Sequence, residues 1–530
     1  RICQALENIK EKKPGTFHEA MQLFWLFALL AGVINYGRLD DYLGPYLVAD
    51  LKSGRLTDEE AYRYIHSLWT MIENRRTTVN GRIIVGGKGR KHPKEADVFL
   101  HIAMKVAKNC RYVEPQFTLR FDKETSEEIW DEALDALGAG ATYPTLYNDD
   151  VNVPAVMYGM RVDEKTAEQY VPFGCTEFVI QGQSTGTPNI CINLLKLLTI
   201  YMNDGIDPID GKRKSGPVPL KKLEEYQTFE EFYDGYKALL DYYLDLSVKA
   251  QYHSYEVMNQ HVSFLFTSLL TDDCIARGKA LLDGGVRYLG GTNETYGNIN
   301  TSDSLWVIRD LVFNQKKYTL RQLNDAMLAN FNGYEALRKD CLNCDKYGND
   351  LETADTMAND LYEFVAKGVR DRGIAIGMQY FLIVISNNQL NTEWGNRTAA
   401  SPDGRLSCMY MNPANNPQGG ANKSGPTAML NSLAKFDAKY HGGSVQNIKF
   451  SPSMFNENRA VIKSLFKTYF AKGGCHLMVT VVDKGVLEDA VEHPENYPDL
   501  IVRVSGFSAV FVDLSPNIQQ ELLSRVLYDK

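Results

Sequence analysis

Two short segments of this 530-residue chain carry residue types that could do chemistry together. The first is Val171-Pro-Phe-Gly-Cys-Thr-Glu-Phe178, where a thiol and a carboxylate stand two residues apart behind a glycine. In an extended loop the side chains at i and i+2 face the same way, so Cys175 and Glu177 can address one small ligand. Free cysteine is also among the most buried residue types, and a structural thiol beside a surface carboxylate stays open as a reading of these residues. The second segment is Ile501-Val-Arg-Val-Ser-Gly-Phe-Ser-Ala-Val-Phe-Val512, a strand-like run interrupted at Gly506. A bulge or tight turn accounts for that glycine without any chemistry.

Other motifs carry less. Gly86-Gly87-Lys88-Gly89 fails as a phosphate-binding loop, because Arg82 stands at the required first glycine and Gly89 replaces the magnesium-binding Ser or Thr. Cys341-Leu-Asn-Cys344 is a lone CxxC, and the nine histidines form no HExxH, so no metal is assigned. Lys and Arg total 57 against 66 Asp and Glu, a net charge of −9, which excludes the broad positive field of a nucleic-acid binder and favours a small-molecule partner. Nine scattered cysteines, an odd number, point to a reducing, cytoplasmic compartment. The apolar stretch from Ala20 to Ile34 is too short to cross a bilayer and is expected to be a buried core helix, which argues against a membrane partner.

The elements that must position these residues alternate. Helices are expected over Phe17–Leu30 and Ala61–Met71, then a strand over Gly81–Gly87 and a helix near Ala96–Asn109. The pattern repeats with a strand at Gln116–Phe121, a helix at Ser126–Leu137 and a strand at Thr142–Tyr147, as in α/β architecture. Aromatics at helical spacing make Tyr226–Tyr252 a structural helix, followed by helices at Asp303–Phe313 and Leu320–Leu337. The Gly/Pro/Asn-rich tract Ser401–Pro426 reads as a boundary before a C-terminal subdomain. An amphipathic helix over Asn517–Arg525 closes the chain, and the direct start at Arg1 reads as the interior of a longer protein.

Taken together, the two segments make the chain resemble the glycyl radical enzymes. The resemblance runs along nearly the whole chain: Thr16-Phe-His-Glu-Ala20, Gly37-Arg-Leu-Asp40, Glu114-Pro-Gln116, Gly174-Cys-Thr-Glu177, Asp303-Ser-Leu305, Lys346-Tyr-Gly-Asn-Asp350, Ser401-Pro-Asp-Gly-Arg405 and Gly425-Pro-Thr-Ala428. Its most specific part is Arg503-Val-Ser-Gly-Phe-Ser-Ala509. It implies a ten-stranded α/β barrel surrounded by helices, with a catalytic part over residues 1–400 and a C-terminal glycine-radical domain over 401–530.

The resemblance also implies roles. Gly506 would hold the radical, Cys175 would relay it to substrate as a thiyl, and Glu177 would act as base while a C–O, C–N or C–S bond breaks. Glu294, in Gly290-Gly-Thr-Asn-Glu-Thr-Tyr-Gly297, together with Asn35 and Asn189, would bind substrate. Glu294 keeps an arylacetate-type decarboxylase open as the alternative, although no histidine lies between Cys175 and Pro208 to match that branch. Pyruvate formate-lyase carries two adjacent cysteines where this chain has Gly174-Cys175, which disfavours acyl transfer to coenzyme A. The family usually has Gln at the position of Met478 and Asn at that of Thr480, and His476 is read as structural. No cofactor is expected in the chain; a separate iron–sulfur, S-adenosylmethionine activating enzyme would install the radical, and the protein would be a homodimer. A non-catalytic paralogue or fragment acting as a binding protein is the reading from another class.

Overall fold

The structure is a computed structural model that describes residues 2–76, 81–186, 188–385 and 389–529; the side chains of 188 and 189 lie outside the described residues. Parallel strands need long crossovers, and the expected strand–helix alternation supplies them. β1 (Arg82–Gly86), β2 (Gln116–Phe121) and β3 (Thr145–Asn148) run parallel side by side, joined through helices Pro93–Asn109 and Glu127–Gly138. Every residue of the three strands is buried, as in a sheet covered on both faces. Ser126 caps the second helix by accepting a hydrogen bond from the Ile129 amide at 3.3 Å.

β4 (Tyr170–Phe173) and β5 (Glu177–Ile180) then form an antiparallel hairpin with Gly174, Cys175 and Thr176 at its turn. A second parallel sheet consists of β6 (Pro188–Asn193), β7 (Tyr288–Tyr296), β8 (Tyr380–Ile385) and β9 (His441–Ser444), with Ser184–Thr185 lying ahead of β6 along the same edge of β7. Two residues later the chain enters β10 (Asn447–Phe450) and then β11 (His476–Val481), which return to the first sheet; β11 is antiparallel to β3, with His476 opposite Tyr147. Counted with the two-residue strands Gly37–Arg38 and Ser184–Thr185, the described residues form a six-stranded and a five-stranded sheet. A last hairpin, β12 (Ile501–Arg503) and β13 (Ser508–Val510), presents residues 504–507 at its tip.

Several expectations need correction. Helix Phe17–Leu30 forms as read, but it is not a core helix. Phe17, Ala20, Met21 and Ala28 are buried, whereas Leu23, Leu26, Phe27, Leu29 and Leu30 are exposed, because neighbouring helices cover one face only. The stretch Leu320–Leu337 is two helices, Leu320–Leu328 and Glu335–Asn343, with Asn330 and Phe331 at left-handed φ between them. The tract from Ser401 is held in place over its first half. Arg405 donates to the carbonyls of Gly395, Thr398, Ala399, Met409 and Tyr410, and Asp403 accepts from Asn300 at 2.6 Å, so its first half is pinned and buried. Beyond position 400, β10 and β11 complete the first sheet. What stands on its own is a small apolar cluster built from Val482, Leu487, Val502, Val504, Phe507, Phe511, Ile518 and Leu522.

The cysteine hairpin is anchored by a buried ion pair. Arg120 of β2 grips Asp149 through two bonds of 2.9 and 2.8 Å and donates to the Tyr170 carbonyl at 2.7 Å, while the Tyr170 hydroxyl donates to Asp149 at 2.7 Å. Both charged side chains are fully buried. Asp149→Ala leaves the guanidinium without its partner, and the expected loss of stability is about 3–5 kcal/mol. A urea denaturation midpoint equal to that of the unmodified chain would contradict this.

Candidate active site

The turn of the cysteine hairpin is fixed from several sides. Gly174 sits at φ +53°, and a methyl group there would come within 2.6 Å of Glu177 Oε2, so both conformation and space require glycine. Asn35 lies against this turn, where its Oδ1 accepts from the Gly174 amide at 3.4 Å. Arg82 donates to the Gly174 carbonyl at 2.8 Å from below. The backbone of β9 packs on the other side so closely that a Cβ on Gly443 would lie 2.3 Å from the Thr176 carbonyl oxygen. Cys175 is completely buried as a result.

Gly506 meets it there. A methyl group on Gly506 would lie 2.4 Å from Cys175 Cβ, 2.5 Å from Cα and 2.8 Å from Sγ. Gly506 is not among the residues with left-handed φ, so the turn itself does not demand glycine; the contact does. Its carbonyl oxygen accepts from Arg503 at 3.0 Å and faces a longer approach from Arg82 at 3.5 Å. The same two guanidinium groups both donate to Gln116 Oε1, at 3.1 and 3.2 Å. Sequence reasoning noted Arg82 only as a failed phosphate-loop position. A lone charge inside the β-branched run of β1 was the available signal that it serves the interior.

The two carboxylates come from different elements, Glu177 from the cysteine hairpin and Glu294 from the second parallel sheet. Glu177 begins β5 and folds back so that Oε2 accepts from the Thr176 amide at 2.8 Å. Glu294 on β7 is in register with Cys191 of β6 and Val384 of β8. The Tyr296 hydroxyl donates to Glu294 Oε2 at 2.5 Å, and Cys191 Sγ donates to it at 3.7 Å. Burial and then the Glu294 charge push the Glu177 carboxyl up to about 7. Burial, reinforced by Glu177 and Glu294, holds the Cys175 thiol well above its ordinary range. Cys175 therefore keeps its S–H bond at neutral pH, which suits hydrogen-atom exchange and not thiolate attack.

Of the remaining expected positions, the Asn189 side chain lies outside the described residues. His476 is buried edge-on to Tyr147 at 4.6 Å; its Nδ1 accepts from the Gln446 amide, and burial drives it well below its ordinary range, so it is a neutral packing residue. Met478, where the family usually has Gln, places Sδ 3.1 Å from Arg503 Nε and so still supports that guanidinium. Cys341 and Cys344 are free thiols.

A glycine and a buried thiol thus meet inside an α/β core with no room for a side chain between them. Residues 1–390 match the family described as Pyruvate formate lyase-like, and residues 411–512 match Glycine radical. The chain belongs to the pyruvate formate lyase-like family and is a glycyl radical enzyme. It is 28% identical to the trans-4-hydroxy-L-proline dehydratase of Clostridioides difficile, over 99% of this chain and 69% of that protein. It is 25% identical to the 4-hydroxyphenylacetate decarboxylase glycyl radical subunit of the same species, strain CD196, over 100% of this chain and 65% of that protein. The glycerol-bound B12-independent glycerol dehydratase of Clostridium butyricum superposes with a TM-score of 0.92 at 28% identity, over 100% of this chain and 69% of that one.

The burial of Cys175 has a direct chemical readout. Under limited iodoacetamide, the exposed Cys3 and Cys408 should alkylate at least about a hundredfold faster than Cys175, since a protonated, inaccessible thiol reacts only when the structure opens. Peptide mass spectrometry showing Cys175 labelled at the rate of Cys3 would contradict the geometry.

Proposed function

We propose that the chain is the catalytic part of a glycyl radical dehydratase or lyase, with Gly506 as radical store, Cys175 as relay and Glu177 as base. The observation that carries this is the contact between Gly506 and Cys175, with no room for a side chain between them. Hydrogen passes from Cys175 sulfur to the Gly506 α-carbon, leaving a thiyl; the thiyl takes a hydrogen from a substrate carbon, and on completion the hydrogen returns and the glycine radical is restored. No atom is lost from the protein in the cycle. The substrate hydroxyl gives its proton to Glu177, and the leaving group on the adjacent carbon departs with help from the resulting radical anion. Exclusion of water protects each radical along this path.

The named activities of the relatives, dehydration of hydroxyproline and of glycerol, fit this elimination. The single cysteine after Gly174 argues against acyl transfer of the pyruvate formate-lyase kind. Decarboxylation of an arylacetate-like acid is the second reading, favoured by Glu294 beside Glu177. Glu294, Asn35 and Asn189 belong to the proposal as substrate-binding residues; Asn35 acts through the Gly174 backbone. Residues 401–530 would carry the radical, installed by a separate iron–sulfur, S-adenosylmethionine enzyme. A homodimer in the cytoplasm completes the reading; no described helix is long and apolar enough to cross a membrane.

After anaerobic activation, the expected result is an electron paramagnetic resonance doublet in the unmodified chain. Cys175→Ser should keep the doublet and lose turnover, whereas Gly506→Ala should lose both. Turnover by Cys175→Ser sinks the relay, and an inert paralogue would show no doublet at all. Carbon dioxide release from a carboxylic acid would select the second reading over elimination.

The pH dependence follows from the raised Glu177 carboxyl. Below about 7 it holds a proton and cannot act as base, so kcat/KM should rise with pH through that region. Glu177→Gln should flatten the profile and lower the rate by about 10²–10⁴-fold while sparing the doublet. A sloping profile in Glu177→Gln would assign the titration to another group.

A further inference from the structure

We propose that Arg503 and Arg82 stabilise the Gly506 radical electronically, by donating to the carbonyl oxygen on which the radical state places negative charge. This rests on the proposal that Gly506 holds the radical.

Both guanidinium groups are fully buried, and among the described residues every hydrogen bond they donate runs to a neutral acceptor. Arg82 reaches Thr118, Thr145, Gln116 and the carbonyls of Gly174 and Gly506. Arg503 reaches Met478, Ser508, Gln116 and the Gly506 carbonyl. Two buried cations without a carboxylate in hydrogen-bond contact are expensive, and an acidic partner would neutralise them in an ordinary core. Here Gln116 occupies the point where the two forks meet, offering an amide oxygen in place of a carboxylate. Glu114 and Glu177 act on these guanidinium groups through space without bonding them, and the other oxygen the two forks share is that of Gly506.

The chemistry of a glycine radical explains the arrangement. With one hydrogen gone, the α-carbon lies between an amide nitrogen that gives electron density and a carbonyl that takes it. The contributing form with positive nitrogen and negative oxygen is available only when the α-carbon carries the unpaired electron. A cation already aimed at that oxygen binds the radical state more strongly than the parent glycine, which is the condition for useful stabilisation. The exchange to be biased is balanced: the Gly506 C–H and the Cys175 thiyl become the Gly506 radical and the Cys175 S–H. Sulfur gains no comparable charge separation, so the arginines favour storage on carbon. Arg503 is held for this from other sides as well, by Met478 Sδ, by Ser508 and by the Tyr143 ring 5.3 Å away.

The variants Arg503→Gln, which keeps a donor and removes the charge, Arg503→Lys, which keeps the charge, and Arg82→Lys separate this from a packing role. The full chain is activated anaerobically, and the doublet is followed without substrate for its α-proton splitting and its lifetime; thermal melting checks folding. The expected result is a doublet in Arg503→Gln that decays at least about tenfold faster with an altered splitting, with Arg503→Lys in between. Folded variants whose splitting and lifetime equal those of the unmodified chain would overturn the proposal, as would failure of all three to fold, which would make the arginines structural. Absence of a doublet in the unmodified chain is a different outcome, because it removes the radical assignment on which this rests.

Discussion

Between Gly506 and Cys175 there is no space for a single additional carbon atom, and the rest of the molecule is arranged to keep it so. Each residue sits at the tip of a short antiparallel hairpin, and neither hairpin could hold its tip in place unaided. The cysteine tip is fixed from beneath by Arg82, laterally by the backbone at Gly443, and at its root by the Arg120–Asp149–Tyr170 cluster. The glycine tip is drawn onto it by Arg503 and Arg82 acting on one carbonyl. Packing in this place is a matter of removing atoms, since both Gly174 and Gly506 are required for what they lack.

Protonation states follow from the same closure. Burial penalises charge, so Cys175 stays a thiol, His476 stays neutral, and the Glu177 carboxyl rises toward neutrality under the added influence of Glu294. The charges that survive are the guanidinium groups, whose high intrinsic basicity resists desolvation better than any other side chain. Around the Gly506–Cys175 contact the hydrogen bonds of Arg82 and Arg503 run to carbonyl, amide and hydroxyl oxygens and a thioether, while the buried Arg120–Asp149 ion pair lies at the root of the cysteine hairpin. A site of this kind is suited to moving hydrogen atoms, which carry no charge, and to a single proton transfer at a group whose affinity lies near neutral pH.

Much of this was legible in the sequence, and the parts that were not share a physical cause. The alternation of β1, β2 and β3 with helices was visible because parallel strands buried on both faces are continuous apolar runs. The pairing of Cys175 with Glu177 was visible from their spacing, and Gly506 from its motif. Gln116 was missed as a site residue, since nothing local distinguishes a polar residue facing a core from one facing solvent; Arg82 was missed although a lone charge in the fully buried run of β1 was the available signal. The tract after Ser401 shows the converse: Gly, Pro and Asn usually mark exposed loops, and only the tertiary position of Arg405, capping five carbonyls, pins the first half of this one. Likewise, a helix apolar nearly all round gave no hint of which half of its surface neighbours would cover.

The glycine hairpin must satisfy two opposed demands under the proposed function: it seals the thiol, and it has to leave so that an activating partner can reach Gly506. The structure reconciles them by giving the hairpin its own apolar cluster, in which Val502, Val504 and Phe507 pack with Phe511, Ile518 and Leu522, separate from the cores built around the two sheets. A segment that carries its own core can move as a body without exposing its interior. Its ties to the first sheet include polar ones: Lys449 of β10 donates to the Leu522 carbonyl at 3.1 Å, while Arg525 grips the Val504 carbonyl at 2.5 Å and binds the hairpin to its own helix. Hydrogen bonds of this sort exchange readily with water at modest net cost, whereas apolar contact of the same extent would have to be torn open. That apolar cluster begins at Val482 and runs through the glycine hairpin to Leu522.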